Sequence, residues 1–258
     1  MWKGVIRADS VSLPIKLFSA VRESRVDFHL LHAPDRMRVE QHMKNPVTGK
    51  EVASEDIRRG YPLGGDRFAL LDPDELEKLV PEKSRDVEVT RFVPSSAIAP
   101  AWYVRPYYVG PDGDVTGYRG LCEALEKRKR VGVAHWTMRN ASHTGALCVH
   151  RGQLLLVKLR EKDAVVSAEE LPAPEGRSGD ARELALAEQL VSALAGAFEP
   201  ETMHDQHRER LQALIDAKAK GRTPKLPKPV RRAPAAPLAS ALRRSLEQAT
   251  QGRSKAHG

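Results

Sequence analysis

Trp2-Lys3-Gly4-Val5-Ile6, then Val11-Ser12-Leu13-Pro14-Ile15-Lys16-Leu17-Phe18-Ser19-Ala20, then Val26-Asp27-Phe28-His29-Leu30-Leu31-His32 open the chain, and their reading decides the fold. Val11, Leu13, Ile15 and Leu17 alternate with more polar neighbours, the period of a half-buried strand. Val26, Phe28 and Leu30 repeat the alternation and predict a second strand. Pro14 has no N–H to give a ladder, which predicts an edge strand or a bulge there. The chain therefore begins as a β protein.

Working outward, Met37, Val39 and Met43 share one face, with Arg36, Arg38 and His42 on the other. Asn45-Pro46-Val47-Thr48-Gly49-Lys50 supplies turn residues, and Glu51-Val52-Ala53 returns. The expectation is one long hairpin ending near Ile57-Arg58-Arg59-Gly60-Tyr61. After a strand at Phe68–Leu71, Asp72-Pro73-Asp74-Glu75 has the cap, first-turn proline and capping box of a helix start. Strands are predicted at Asp86–Val93 and Tyr107–Val109. A helix carrying Tyr118, Leu121, Cys122 and Leu125 runs up to Lys127-Arg128-Lys129-Arg130. A strand at Val131–Arg139 follows, then a hairpin of Leu147-Cys148-Val149 with Leu154–Leu159 about Arg151-Gly152. Pro172–Gly176 breaks the chain, and two helices follow at about 181–197 and 204–220. Many strands, then helices only, reads as a β-barrel with a helical C-terminal part.

The charge is unevenly spread. The 258 residues carry a net charge of +8. From Lys218 to Gly258 eleven Lys and Arg face one acid, Glu247, a local +10; the remainder has 31 bases against 33 acids. Within that body, Arg119–Arg151 has seven bases and two acids, and Arg160–Asp216 has six bases and thirteen acids. A bipolar body with a basic tail suits a polyanion held on one face; a basic tail that only aids solubility is the bland reading. Beyond Gly221 the tail is Pro-rich and without a core, apart from Leu238, Leu242, Leu246 and Ala249 at i, i+4 spacing. That stretch is too short to hold a helix alone and would need a partner surface.

Other chemistries find little support. No apolar run reaches the roughly 18 residues of a membrane span, and no signal pattern opens the chain. Two cysteines, Cys122 and Cys148, make no disulfide framework, so a cytoplasmic bacterial protein is expected. His29, His32 and His42 lack zinc-ligand spacing, and no metal or cofactor is expected. Cys122 reads as packing, Gly110-Pro111-Asp112-Gly113 as a turn and not a phosphate loop, and His204 with His207 as a weak pair. Trp102, Tyr103, Tyr107 and Tyr108 could stack on bases, although core or dimer packing explains them as well.

The same ordered blocks resemble the bacterial Ku proteins. The opening strands carry the likeness first, with Arg7-Ala8-Asp9-Ser10-Val11 in place of the family's Phe-Gly-Leu-Val-like step. Phe68-Ala69-Leu70-Leu71-Asp72-Pro73-Asp74-Glu75-Leu76 continues it, then Phe92-Val93 through Tyr107-Tyr108-Val109-Gly110-Pro111-Asp112, then Glu183–Ala187 and Leu214–Lys218. Departures fall at Ala97-Ile98-Ala99-Pro100, where an acid before the proline is usual, and at His204-Asp205-Gln206-His207-Arg208.

The resemblance implies a Ku-type β-barrel core over 1–175 with an arm hairpin at about 33–61, a helical part over 176–220 and a flexible tail over 221–258 with an amphipathic segment at 237–249. It implies a ring-forming homodimer with a bridging arm from each subunit, threaded on double-stranded DNA ends. Such a ring is end-specific without reading sequence. The expected DNA contacts are Arg36 and Arg38 on the arm, then Lys44, Lys50, Arg58 and Arg59, with Arg139 in a second hairpin and Lys16 before the arm. His29 and His32 become core or hydrogen-bonding residues. The end-joining DNA ligase, of the ligase D type, is the expected partner, contacted through Leu238, Leu242 and Leu246. The protein would be non-enzymatic and nucleoid-associated. Two other readings stay open: a monomeric β-barrel that binds single-stranded nucleic acid, and a hydrolase holding Mg²⁺ on Asp72, Asp74 and Glu75.

Overall fold

In the computed structural model, residues 1–22, 26–173, 175–176 and 178–222 are described. The chain divides after Leu171 into a first unit, Met1–Leu171, and a second from Pro172 onward.

The first unit is built on a closed seven-strand barrel. Its strands are β1 (Trp2–Ala8), β2 (Val11–Ser19), β5 (Asp86–Pro94), β6 (Tyr103–Pro111), β7 (Arg130–Met138), β8 (Ala141–His150) and β9 (Gln153–Leu159). Around the barrel they run β1-β2-β6-β9-β8-β7-β5. All neighbours are antiparallel except β1 and β5, which close the barrel in parallel over Val5↔Asp86, Ile6↔Val87 and Arg7↔Glu88. Closure removes the unpaired edges an open sheet would expose.

Alternation decides which side chains enter. Ile6, Leu13, Ile15, Leu17, Val87, Val89, Val109, Ala134, Trp136, Leu147, Leu154 and Leu156 form one buried cluster. Trp136 fits because Gly145 has no side chain: a Cβ there would lie 2.6 Å from the indole and 2.8 Å from the Val157 carbonyl oxygen.

Helix α2 (Val115–Arg128) is capped by Asp114, whose carboxylate accepts the Gly117 amide at 2.8 Å. It lays Tyr118, Cys122 and Leu125 into the same cluster, across the end of the barrel where β6 finishes and β9 begins. The Tyr118 hydroxyl donates to the Val109 carbonyl at 2.7 Å and accepts the Leu154 amide at 2.9 Å, tying β6 to β9. Cys122 is buried, as the packing reading expects, and burial pushes its thiol pKa up.

Three sequence expectations are corrected. Pro14 lies on no edge: β2 sits between β1 and β6. The Val5 amide points away from β2, to the Arg85 carbonyl at 2.9 Å, so the Val5↔Pro14 pair needs no N–H from proline. Pro14 instead accepts the Asp112 amide at 3.0 Å, just past the end of β6.

Val26–Leu30 is not a strand, and Phe28 is 68% exposed. The long hairpin from Arg36 to Arg59 is likewise absent. That region holds two separate tight turns, each closed by a single bridge, Leu31↔Arg38 and Lys44↔Glu51. The hairpin lies further on, with β3 (Arg59–Gly64) pairing with β4 (Arg67–Leu71).

Helix α1 (Pro73–Lys78) starts with the expected Asp72–Glu75 capping box. In the second unit, α3 (Ala181–Ala193) begins on an Asp180–Glu183 capping box and α4 (Gln206–Ala219) on an Asp205 cap.

Candidate nucleic-acid interface

Residues 20–85 leave the barrel after β2 and return as β5. The first turn of this insertion is set by Asp35. Its carboxylate accepts the Met37 amide at 3.0 Å and lies 3.0 Å from His32 Nδ1. The amide first, and His32 second, hold its pKa below the usual carboxylate range. Arg36 takes the left-handed conformation at the apex, with φ of 60°, and Arg38 stands in the bridge to Leu31.

Asn45 sets the second turn. Its side-chain oxygen accepts the amides of Val47 and Thr48 at 2.9 and 3.2 Å, and its main chain closes on Lys50 at 2.9 Å. Lys44 and Lys50 flank this turn, both exposed. Each turn is an Asx turn, in which a short polar side chain captures amides that a ladder would otherwise use.

The remaining predicted cations are placed differently. Arg58 is engaged already: its Nε lies 3.4 Å from Asp72 and its guanidinium donates to the Glu55 carbonyl. Arg59 is exposed at the start of β3. Lys16 is half-buried on the barrel, and Asp112 holds both Lys16 (2.7 Å) and Lys3 (2.9 Å). Lys16 first and Lys3 second lower the Asp112 pKa. Arg139 sits at the apex of the two-residue β7–β8 turn, with φ of 54°.

So Arg36 and Arg38 come together on one turn and Lys44 and Lys50 on the other. Arg58 and Arg59 enter β3, while Arg139 and Lys16 belong to the barrel. His32 is tied to Asp35, whereas His29 is exposed and no part of a core. Leu238, Leu242 and Leu246 lie outside the described residues.

The insertion is also unusually apolar on its surface. Phe28, Leu30, Leu31, Met37, Met43 and Phe68 are all more than half exposed. A two-stranded hairpin with such open faces is marginal by itself, and so many exposed apolar side chains on one insertion suit an interface. The aromatic set in and just before β6 is less open: Tyr107 packs on the core, Trp102 and Tyr103 are half-buried, and Tyr108 is 43% exposed.

Sequence reasoning passes over one set of cations. Lys127, Arg128, Lys129 and Arg130 end α2 and begin β7, and Arg151 turns between β8 and β9. All are exposed. In the sequence they count toward the basic stretch Arg119–Arg151, but none of them stands out there as an individual contact. Among the described residues, no group of three His, Cys, Asp or Glu side chains is arranged to hold a metal, and no helix is long and apolar enough to cross a membrane.

A closed seven-strand barrel with a long, cation-bearing insertion between its second strand and the strand that closes it defines a distinct class of barrel protein. Residues 7–186 match the family model described as the Ku70/Ku80 beta-barrel domain. The chain is 36% identical over 221 residues to the non-homologous end joining protein Ku 2 of Geotalea uraniireducens, covering 86% of each chain. To Ku 3 of Saccharopolyspora erythraea it is 38% identical over 251 residues, 95% of each. To the Ku protein of Anaeromyxobacter sp. (strain K) it is 36% identical over 232 residues, 88% of this chain and 77% of the relative. The chain belongs to the Ku family.

Proposed function

We propose that this protein binds double-stranded DNA ends in non-homologous end joining, as a homodimer whose two insertions close a ring around the duplex. The observation that carries the reading is the insertion itself, which pairs exposed cations at its turns with apolar faces left open to solvent. The cations suit phosphates, which carry no sequence information. The apolar faces suit a second copy of the same chain, since a symmetric pair of identical surfaces is the commonest way such a patch is covered. Binding would protect and bridge broken ends without any reaction of its own.

The test compares a linear duplex with the same duplex covalently closed into a circle. A threaded ring binds the linear form and not the circle. Equal binding to both would mean an open cationic surface and would remove the ring, the dimer and end joining together.

Recruitment of the end-joining ligase is assigned to segment 237–249, with Leu238, Leu242 and Leu246 as the apolar stripe of a helix formed on the partner. Deleting 237–249 should spare end binding and abolish stimulation of the ligase; undiminished stimulation would sink that assignment.

A further inference from the structure

Among the described residues, six other than glycine have positive φ: Asp9, Arg36, Lys129, Arg139, Asn140 and Arg151. Left-handed backbone favours Gly, which has no Cβ to crowd the following carbonyl oxygen, and Asn and Asp, whose short polar side chains can hydrogen-bond locally. Four of these six are nonetheless Lys or Arg. Two-residue hairpin turns such as Arg139-Asn140 and Arg151-Gly152 favour Asn-Gly, and here the first position is arginine both times. Residues held in such conformations concentrate at functional sites.

Arg36 and Arg139 are among the DNA contacts expected above; Lys129 and Arg151 are not. These two lie at the same end of the barrel, beyond the last β7–β8 pair, Gly132↔Leu147. β7 begins at Arg130, immediately after Lys129, and β8 ends at His150, immediately before Arg151, on the adjacent antiparallel strand. Lys127, Arg128 and Arg130 complete a cationic lip at the end of the barrel that α2 covers. None of the five forms a salt bridge among the described residues, whereas Lys3, Lys16, Arg7 and Arg58 are all paired with carboxylates. A lysine at a helix C-terminus has a plain structural use, compensating the helix dipole. That use does not reach Arg151, which is on no helix.

The geometry points to this lip as a second phosphate-backbone contact on the same duplex, at the opposite end of the barrel from Arg139. The proposal rests on the DNA-end reading above and adds a site to it. β7 has nine residues between the two ends. At about 3.3 Å per residue the ends stand on the order of 30 Å apart, close to one turn of B-form DNA, about 34 Å. With the duplex axis laid along β7, a backbone that meets Arg139 faces the barrel again near Lys129 and Arg151. The contact is to phosphate and carries no base preference.

Two full-length variants test this. In Lys129→Gly/Arg151→Gly the left-handed backbone is kept and the charge removed. In Lys127→Glu/Arg128→Glu no strained position is touched. Dissociation constants on one linear duplex are measured over a salt series, with thermal unfolding alongside. The glycine variant should keep or raise Tm and bind unrelated sequences more weakly by an equal factor. Because the ring holds two copies of each residue, its log–log salt slope should be shallower by about 3.6, at about 0.9 for each of four phosphates no longer neutralised. The glutamate variant should be shallower by a similar amount. A wild-type slope in both variants overturns the lip. A fall in Tm for the glycine variant also overturns it, since the cations would then be holding the turns. Either failure in a protein that still prefers linear to circular DNA leaves the end-binding reading intact; a wild type that binds circles equally sinks that reading instead.

Discussion

Asp112 shows how one side chain can decide whether a cation is available. Its carboxylate holds Lys16 and Lys3, at 2.7 and 2.9 Å. A lysine already paired releases few counterions when it meets a phosphate, so Lys16 contributes little to DNA binding while Asp112 is ionised. Asp112→Asn should free both lysines. If Lys16 faces the duplex, affinity rises and the salt slope of the two-subunit ring steepens by about 1.8; an unchanged slope removes Lys16 from the interface.

The pH dependence has a definite sign. The Asp112 pKa is lowered below 3.8 by Lys16 and Lys3. Its contribution to stability is present above the unfolded value and lost as pH falls through the lower folded one. Acid titration of wild type should show that loss only below about pH 4, the ordinary carboxylate range, and Asp112→Asn should lack it.

At the scale of elements, the barrel and the insertion behave differently. Barrel strands satisfy themselves within the chain. β3 and β4 do not, since Tyr61, Leu63, Phe68 and Leu70 are all exposed. Replacing 28–71 by a short Gly/Ser linker should therefore leave the barrel folded, with near-wild-type far-ultraviolet circular dichroism. It should also leave a monomer in sedimentation and lower affinity for ends by at least tenfold. A linker variant that still sediments as a dimer would move the interface off the insertion.

This difference also explains what could be read in advance. Strands such as β2, β7 and β9 are legible because alternation there reports a core that the same chain supplies. Residues 26–53 alternate just as clearly, yet form no ladder. Asn45 is visible as a turn former, but Asp35 is not. Its capture of the Met37 amide reverses the chain at Arg36, eight residues before the Asn45 turn begins at Lys44. Alternation in that segment marks a surface awaiting cover, a distinction that periodicity alone does not make. The cations are legible as residues, but their grouping is not. Arg58 is engaged by Asp72, fourteen positions away, and Lys129 and Arg151 share one end of the barrel only because β7 and β8 run antiparallel.

For the whole molecule, the seam between β1 and β5 is the weakest line of the barrel. It is the barrel's shortest pairing, with Val5, Ile6 and Arg7 against Asp86, Val87 and Glu88, and it joins segments about eighty residues apart in the chain. Closing so long a loop costs more entropy than forming a hairpin, and contacts between distant segments slow folding. During synthesis the hairpin of β1 and β2 waits, unsealed, until the entire insertion has emerged and β5 arrives. The shortest seam is a natural place for the barrel to open first. In native-state hydrogen exchange the Val5 amide, bonded across the gap to Arg85, should therefore lose protection well before the amides of β8 and β9, and the barrel would breathe as a page turning on β1.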